Sequence, residues 1–215
     1  MPITLLPSSD MTDPQNRTLS IEFYWDIGST NSYFAFHLLR PMAKEFGVQI
    51  EYVPLNLGYV FRHHNYVLNE EPRAKLKNRG IDLQRWARKY DLPFKVPEDF
   101  PIKTSVALRG SLVMRRFDLE ESYIEKLFCT YWENSDSSIK AIDGLIPLVT
   151  ELGVTESDFT SMINSEEIRQ EFIDLTQLAL SKDIFGAPIM VVEEEIYWGK
   201  DRFDFIRDHL VRLTT

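Results

Sequence analysis

The chain has 215 residues, 44% apolar and 27% charged, enough apolar residues to build the core of one large domain or of a domain carrying an insertion. Its net charge of −9, with no concentrated Lys/Arg face, argues against broad nucleic-acid affinity. No apolar run reaches the length of about 18 residues that a transmembrane helix needs, and a single cysteine, Cys129, excludes an internal disulfide and an intrachain dithiol cycle. The polar N-terminus lacks the apolar stretch of a secretory signal, so the expected compartment is the reducing cytoplasm.

Residues 1–17 carry Pro, Ser, Asp, Thr and Asn without periodicity and read as a flexible leader. Ile21, Phe23 and Trp25 then alternate with Ser20, Glu22 and Tyr24, a half-buried strand pattern. A short turn, Asp26 to Asn31, leads into an apolar stretch that reads as a helix to Phe46, with Pro41 inside it and Gly47 at its end. A strand entering a helix through such a turn offers free N–H groups and the positive end of the helix dipole to an anion or a thiolate. Ser29 and Ser32 have the spacing of a redox Cys-X-X-Cys with hydroxyls in place of thiols. The alternative reading is that Ser29 or Asn31 only caps the helix. Val48, Ile50 and Tyr52 form a second strand ending at Pro54, and the helical crossover makes the pair parallel.

From Gly58 to Asn164 only helical signals occur. Leu76, Gly80, Leu83, Ala87 and Tyr90 share a face. A further helix is predicted over 102–117, and apolar stripes follow at Tyr123, Leu127 and Tyr131 and at Ile142, Leu145, Val149 and Leu152. Thr155 with Asp158 and Asn164 with Glu167 resemble capping-box starts. After a helix over 166–182, strands are predicted at 189–192 and 196–198 around a turn at Glu193–Glu195. Gly199-Lys200-Asp201 opens a last helix with Phe203, Ile206, Leu210 and Leu213 facing inward. This order, βαβ, a helical block, then αββα, defines an α/β chain with a thioredoxin-like fold split by an all-helical insertion domain. Its expected boundaries are 18–58 and 166–215 for the thioredoxin-like domain and 59–165 for the insertion.

Four segments carry a family resemblance. Asp26-Ile-Gly-Ser-Thr-Asn-Ser-Tyr-Phe-Ala35, Asp82-Leu-Gln-Arg-Trp-Ala87, Phe185-Gly-Ala-Pro188 and Trp198-Gly-Lys-Asp-Arg-Phe-Asp204 resemble motifs of the 2-hydroxychromene-2-carboxylate isomerase and kappa-class glutathione transferase family. The resemblance implies glutathione as cofactor, a small conjugated substrate bearing a carboxylate, and a homodimer. It gives Ser29 the role of the catalytic serine that hydrogen-bonds the glutathione sulfur. It further implies a cis bond at Ala187-Pro188 that presents the Ala187 backbone to the cysteinyl group. Asp201 would receive the γ-glutamyl amino group, with Trp198, Gly199 and Lys200 beside it. Arg62, Asn69, Phe100 and Lys103 correspond to second-substrate positions.

The sequence also departs from the family pattern. Thr30 replaces a proline, Lys103 replaces an asparagine, and Arg62-His63-His64-Asn65-Tyr66 replaces a small glycine-containing segment, so the second-substrate pocket is expected to be remodelled. His63 and His64 read as exposed loop residues without a metal set. Cys129, on an aromatic stripe, is expected to be buried and inert. Isomerase and transferase chemistry both remain open at this level. So does the alternative of a non-catalytic thioredoxin-like binding module that has lost its redox cysteines.

Overall fold

The computed structural model describes residues 19–67 and 70–214, so the expected leader and Asn69 lie outside the described residues. Strand β1 (Ser20–Trp25) runs into helix α1 (Thr30–Phe46) and back through β2 (Gln49–Pro54). Nearer the C-terminus, β3 (Ile189–Val192) and β4 (Glu195–Trp198) form a hairpin, and α9 (Phe203–Thr214) follows. The sheet order is β2-β1-β3-β4, with β1 parallel to β2 and antiparallel to β3. Phe23 stands opposite both Tyr52 and Met190, so β1 is central and pairs on both edges.

That position corrects the half-buried reading of β1, since Phe23, Tyr24 and Trp25 are all buried. Neighbouring strand residues face opposite sides of a sheet, and both sides are covered here. Phe23 and Trp25 join a core with Phe34, Phe36, Phe128 and Trp132. Tyr24 joins a second, smaller core with Leu55, Val60, Ala179, Ile184 and Ile189.

Between the two β segments run α2 (Leu57–His63), α3 (Arg73–Tyr90), α4 (Ser105–Arg115), α5 (Glu120–Phe128), α6 (Ile142–Glu151), α7 (Glu156–Ile163) and α8 (Glu166–Ser181). The stripe expected on α3 is buried only at Leu83 and Ala87, because the first half of this helix projects into solvent and leaves Leu76 and Gly80 exposed. Helix α4 starts at Ser105, three residues later than expected, directly after Thr104, whose hydroxyl is bonded to Asp26. The aromatic stripe of α5 continues through a π-turn, Cys129–Glu133, which swings Tyr131 and Trp132 into the core. Thr155 caps α7 as expected, but Ser165 rather than Asn164 caps α8, its hydroxyl accepting from the Ile168 amide. The hairpin turn is shorter than expected, Glu195 already lying in β4 with Glu193 at φ +55°. Leu213 is exposed, whereas His209 is buried on the inner face of α9, its ring nitrogen 2.9 Å from the Tyr197 hydroxyl.

Candidate functional site

The Asp26–Ser29 turn closes on itself through a hydrogen bond from the Ser29 amide to the Asp26 carbonyl, 2.9 Å. Ser29 is the N-cap of α1, its hydroxyl oxygen accepting from the Ser32 amide at 3.2 Å. Its proton is directed elsewhere: Ser29 Oγ donates to the Ala187 carbonyl at 2.9 Å, across 158 residues of chain. Capping and a second task therefore coexist in one hydroxyl, which uses a lone pair for the helix and the O–H for the opposite strand. The Ala187–Pro188 peptide bond is cis, and the Pro188 carbonyl accepts from the Gly199 amide at 3.0 Å. Ser29, Ala187, Pro188 and Gly199 thus share one hydrogen-bonded line from α1 to the end of β4.

Ser32 is fully buried and its hydroxyl finds no partner among the described residues. A buried orphan hydroxyl costs about 1–3 kcal/mol relative to a satisfied one. The Ser32 amide, which the cap uses, survives substitution. Ser32→Ala is therefore expected to raise the stability by about 1 kcal/mol, seen as a higher denaturant midpoint at unchanged slope.

Asp26 is buried beneath the turn. Its Oδ1 accepts from the Gly28 amide at 2.8 Å, and its Oδ2 accepts from the Leu57 amide at 3.0 Å and the Thr104 hydroxyl at 3.2 Å. Burial raises its pKa to about 6, outweighing the three donors, which favour the anion. The indole N–H of Trp132 donates to the Ile27 carbonyl at 2.8 Å, and Phe100 packs on that indole at 5.5 Å between centroids. None of Asp26, Leu57, Thr104 and Trp132 was singled out from sequence as a site residue. An Asp two residues before Gly does signal a local turn, but the bonds to Leu57 and Thr104 are long-range and leave no spacing to read.

On the far side, Trp198 is 55% exposed and meets the exposed Phe185 ring edge-on at 5.5 Å. The expectation that Gly199-Lys200-Asp201 opens the last helix needs correction. Helix α9 begins only at Phe203, and the Gly199 amide is taken by Pro188. Gly199 instead makes the turn itself, at φ +101°, where a Cβ would stand 2.9 Å from the Asp201 carboxylate. The Lys200 ammonium is 3.5 Å from Asp82 and lies 4.7 Å over the Trp86 ring, so α3 fixes its position. Asp201 is exposed and pairs with its neighbour Arg202 at 2.9 Å.

The second-substrate candidates are less tightly gathered. Arg62 is exposed on α2, its guanidinium 6.0 Å from the Tyr59 ring centre, and no contact ties it to Ser29. Lys103 is exposed in the segment before α4, next to Thr104. His63 and His64 are exposed, and no group of three or more metal-ligating side chains occurs among the described residues. Cys129 is half-buried rather than buried, with burial pushing its thiol up. A concavity of about 840 Å³ lined by His37, Arg40, Lys44, Gln49 and Glu121 lies along the C-terminal half of α1 and contains none of the site residues. No helix among the described residues is long and apolar enough to cross a membrane.

A split thioredoxin sheet, a serine at the N-terminus of the first helix and a cis proline just before the third strand define a thioredoxin-type site without its cysteines. The family described as a DSBA-like thioredoxin domain matches residues 20–211, and the chain belongs to that family. It is similar to the 2-hydroxychromene-2-carboxylate isomerase of Pseudomonas sp. (strain C18), 29% identical over 188 residues with 85% of each chain covered. It is also similar to glutathione S-transferase kappa 1 of Caenorhabditis elegans, 26% identical over 208 residues, covering 88% of this chain and 90% of the other. Among solved structures, a 2-hydroxychromene-2-carboxylate isomerase superposes with a TM-score of 0.80 at 26% identity, covering 91% of this chain and 96% of that one. Both kinds of relative are named as enzymes, and the resemblance read from the motifs holds over most of the chain.

Proposed function

We propose that this protein is a glutathione-dependent isomerase or transferase acting on a small conjugated, carboxylate-bearing substrate. The observation that carries the reading is the Ser29 hydroxyl, held at the start of α1 with its proton aimed at the backbone beside Pro188. The donor set suits the tripeptide chemically. The single Ser29 O–H, donated to the Ala187 carbonyl in the structure, would turn to the sulfur, the freed Ala187 carbonyl would accept from the cysteinyl unit, and Lys200 and Asp201 offer opposite charges to the zwitterionic γ-glutamyl end. Trp198 and Gly199 flank that end.

Bound glutathione would supply a thiolate nucleophile, which no group of the chain itself provides. The chain's part is electrostatic. A hydroxyl donor and the positive end of a 17-residue helix favour thiolate over thiol. Phe100, packed beside the nucleophile turn through Trp132, supports an apolar wall for an aromatic-derived substrate, and Arg62 and Lys103 are the cations proposed for its carboxylate. A homodimer in the cytoplasm completes the proposal.

The test is turnover of conjugated aromatic-derived acids with glutathione, resolved by mass spectrometry into isomer or released adduct. Asp201→Ala is expected to raise KM for glutathione about tenfold or more while leaving kcat largely intact, since it removes binding common to ground and transition states. Turnover that does not depend on glutathione would refute the reading.

A further inference from the structure

We propose that Asp26 is a positioning residue whose ionised carboxylate locks the second-substrate wall to the nucleophile turn. The proposal rests on the glutathione reading for what the wall does, though not for the lock itself. Three segments meet on this one side chain. Gly28 belongs to the turn, immediately before Ser29. Leu57 opens α2, which carries Arg62. Thr104 precedes α4 and follows Phe100 and Lys103. The last two partners are 31 and 78 residues away, so the carboxylate joins parts of the chain that no local structure would hold together. The segments also abut sterically, since a Cβ on Gly28 would come within 3.1 Å of the Thr104 methyl group.

The lock depends on charge because of how the donors divide. Oδ2 accepts two of them, and a carboxylate oxygen that takes up a proton becomes a donor itself and cannot keep both. Protonation at Oδ2 therefore weakens the bonds from Leu57 and Thr104, and protonation at Oδ1 displaces the Gly28 amide, so either form loosens the link between the turn and the wall that carries Arg62, Phe100 and Lys103. The groups proposed for glutathione, Ser29, Ala187 and Asp201, make no bond to the Asp26 carboxylate, the Ser29 amide reaching only the main-chain carbonyl of Asp26, and stay in place. No cationic side chain lies within ion-pair distance of Asp26 among the described residues, so burial and the three donors set its titration. The titratable group that senses it electrostatically is Tyr131, whose phenol burial pushes up and keeps neutral.

The test follows the amide resonances of Gly28 and Leu57 in the full chain by NMR between pH 4.5 and 8. Glutathione affinity is measured by calorimetry over the same range. Both amides are expected to titrate together with one midpoint, and to lose that titration in Asp26→Asn. Thr104→Val, which removes one donor to the anion and keeps the side-chain shape, is expected to move the midpoint up by roughly half a pH unit. Glutathione affinity is expected to carry no inflection at that midpoint. Flat amides, unequal midpoints, or a titration that persists in Asp26→Asn would overturn the proposal. So would a glutathione affinity that follows the same midpoint, because Asp26 would then support the whole site rather than one wall. The amide titration needs no glutathione, so a protein that binds none fails the functional reading while the lock is still decided.

Discussion

Ser29→Ala is expected to lower glutathione-dependent turnover by about 10²–10³-fold, the scale of losing one hydrogen-bond donor to a charge in a water-poor site. The bound thiol should return toward its ordinary pKa of about 8.5, so the thiolate absorbance of the complex disappears at neutral pH. Alanine also removes the cap of α1, worth about 1 kcal/mol, and leaves the Ala187 carbonyl without its donor. Ser29→Gly separates the two effects. Glycine at an N-cap costs only a few tenths of a kcal/mol relative to serine, so it should nearly restore stability while the rate and the thiolate stay lost. Recovery of the rate in Ser29→Gly would mean that Ser29 acts through the cap alone.

Asp26→Asn is expected to change how stability depends on pH. The folded pKa of Asp26 lies near 6 against an ordinary 3.8, so its native environment disfavours the anion. The sign follows directly: the contribution of this group is fully present below the unfolded pKa and is lost as pH rises to the folded one. A shift of this size corresponds to about 3 kcal/mol. Asparagine does not titrate, and its NH₂ group faces donors that an oxygen formerly satisfied, so the variant is less stable throughout. The gap between wild type and Asp26→Asn should thus be widest near pH 4 and narrow by about 3 kcal/mol on reaching pH 7. Denaturant melts of both proteins at each pH measure it, with the other carboxylates cancelling in the difference. A gap that widens toward pH 7 would show the anion to be the favoured form.

Local order was legible in the chain to the extent that single residues dictate it. The position of strand β1, Gly47 at the end of α1 and the Thr155 cap each depend on a few neighbouring residues, and each stands where the pattern puts it. Ser165 displaced Asn164 as the cap of α8 because either residue type can do the work and the position one closer to the helix prevailed. The exposure of Leu76 and Gly80 was not legible, since a stripe shows which face is apolar but not how far a neighbour extends along it.

The site divides the same way. Ser29, Ala187, Pro188 and the Trp198–Asp201 segment could be nominated as candidates from sequence because they sit in contiguous motifs. The details that join them could not. The use of the Gly199 amide by Pro188, the seating of Lys200 between Asp82 and Trp86, and the gathering of Gly28, Leu57 and Thr104 on Asp26 are all set by packing across the fold.

The central claim is that this serine-capped helix end receives glutathione as a thiolate. Calorimetric titration of glutathione into the wild-type protein at neutral pH, in two buffers of different ionisation enthalpy, tests it most directly. Saturable binding with proton release to the buffer as the thiol ionises is the expected result. Absence of saturable binding at millimolar glutathione, or binding without proton release, would contradict it.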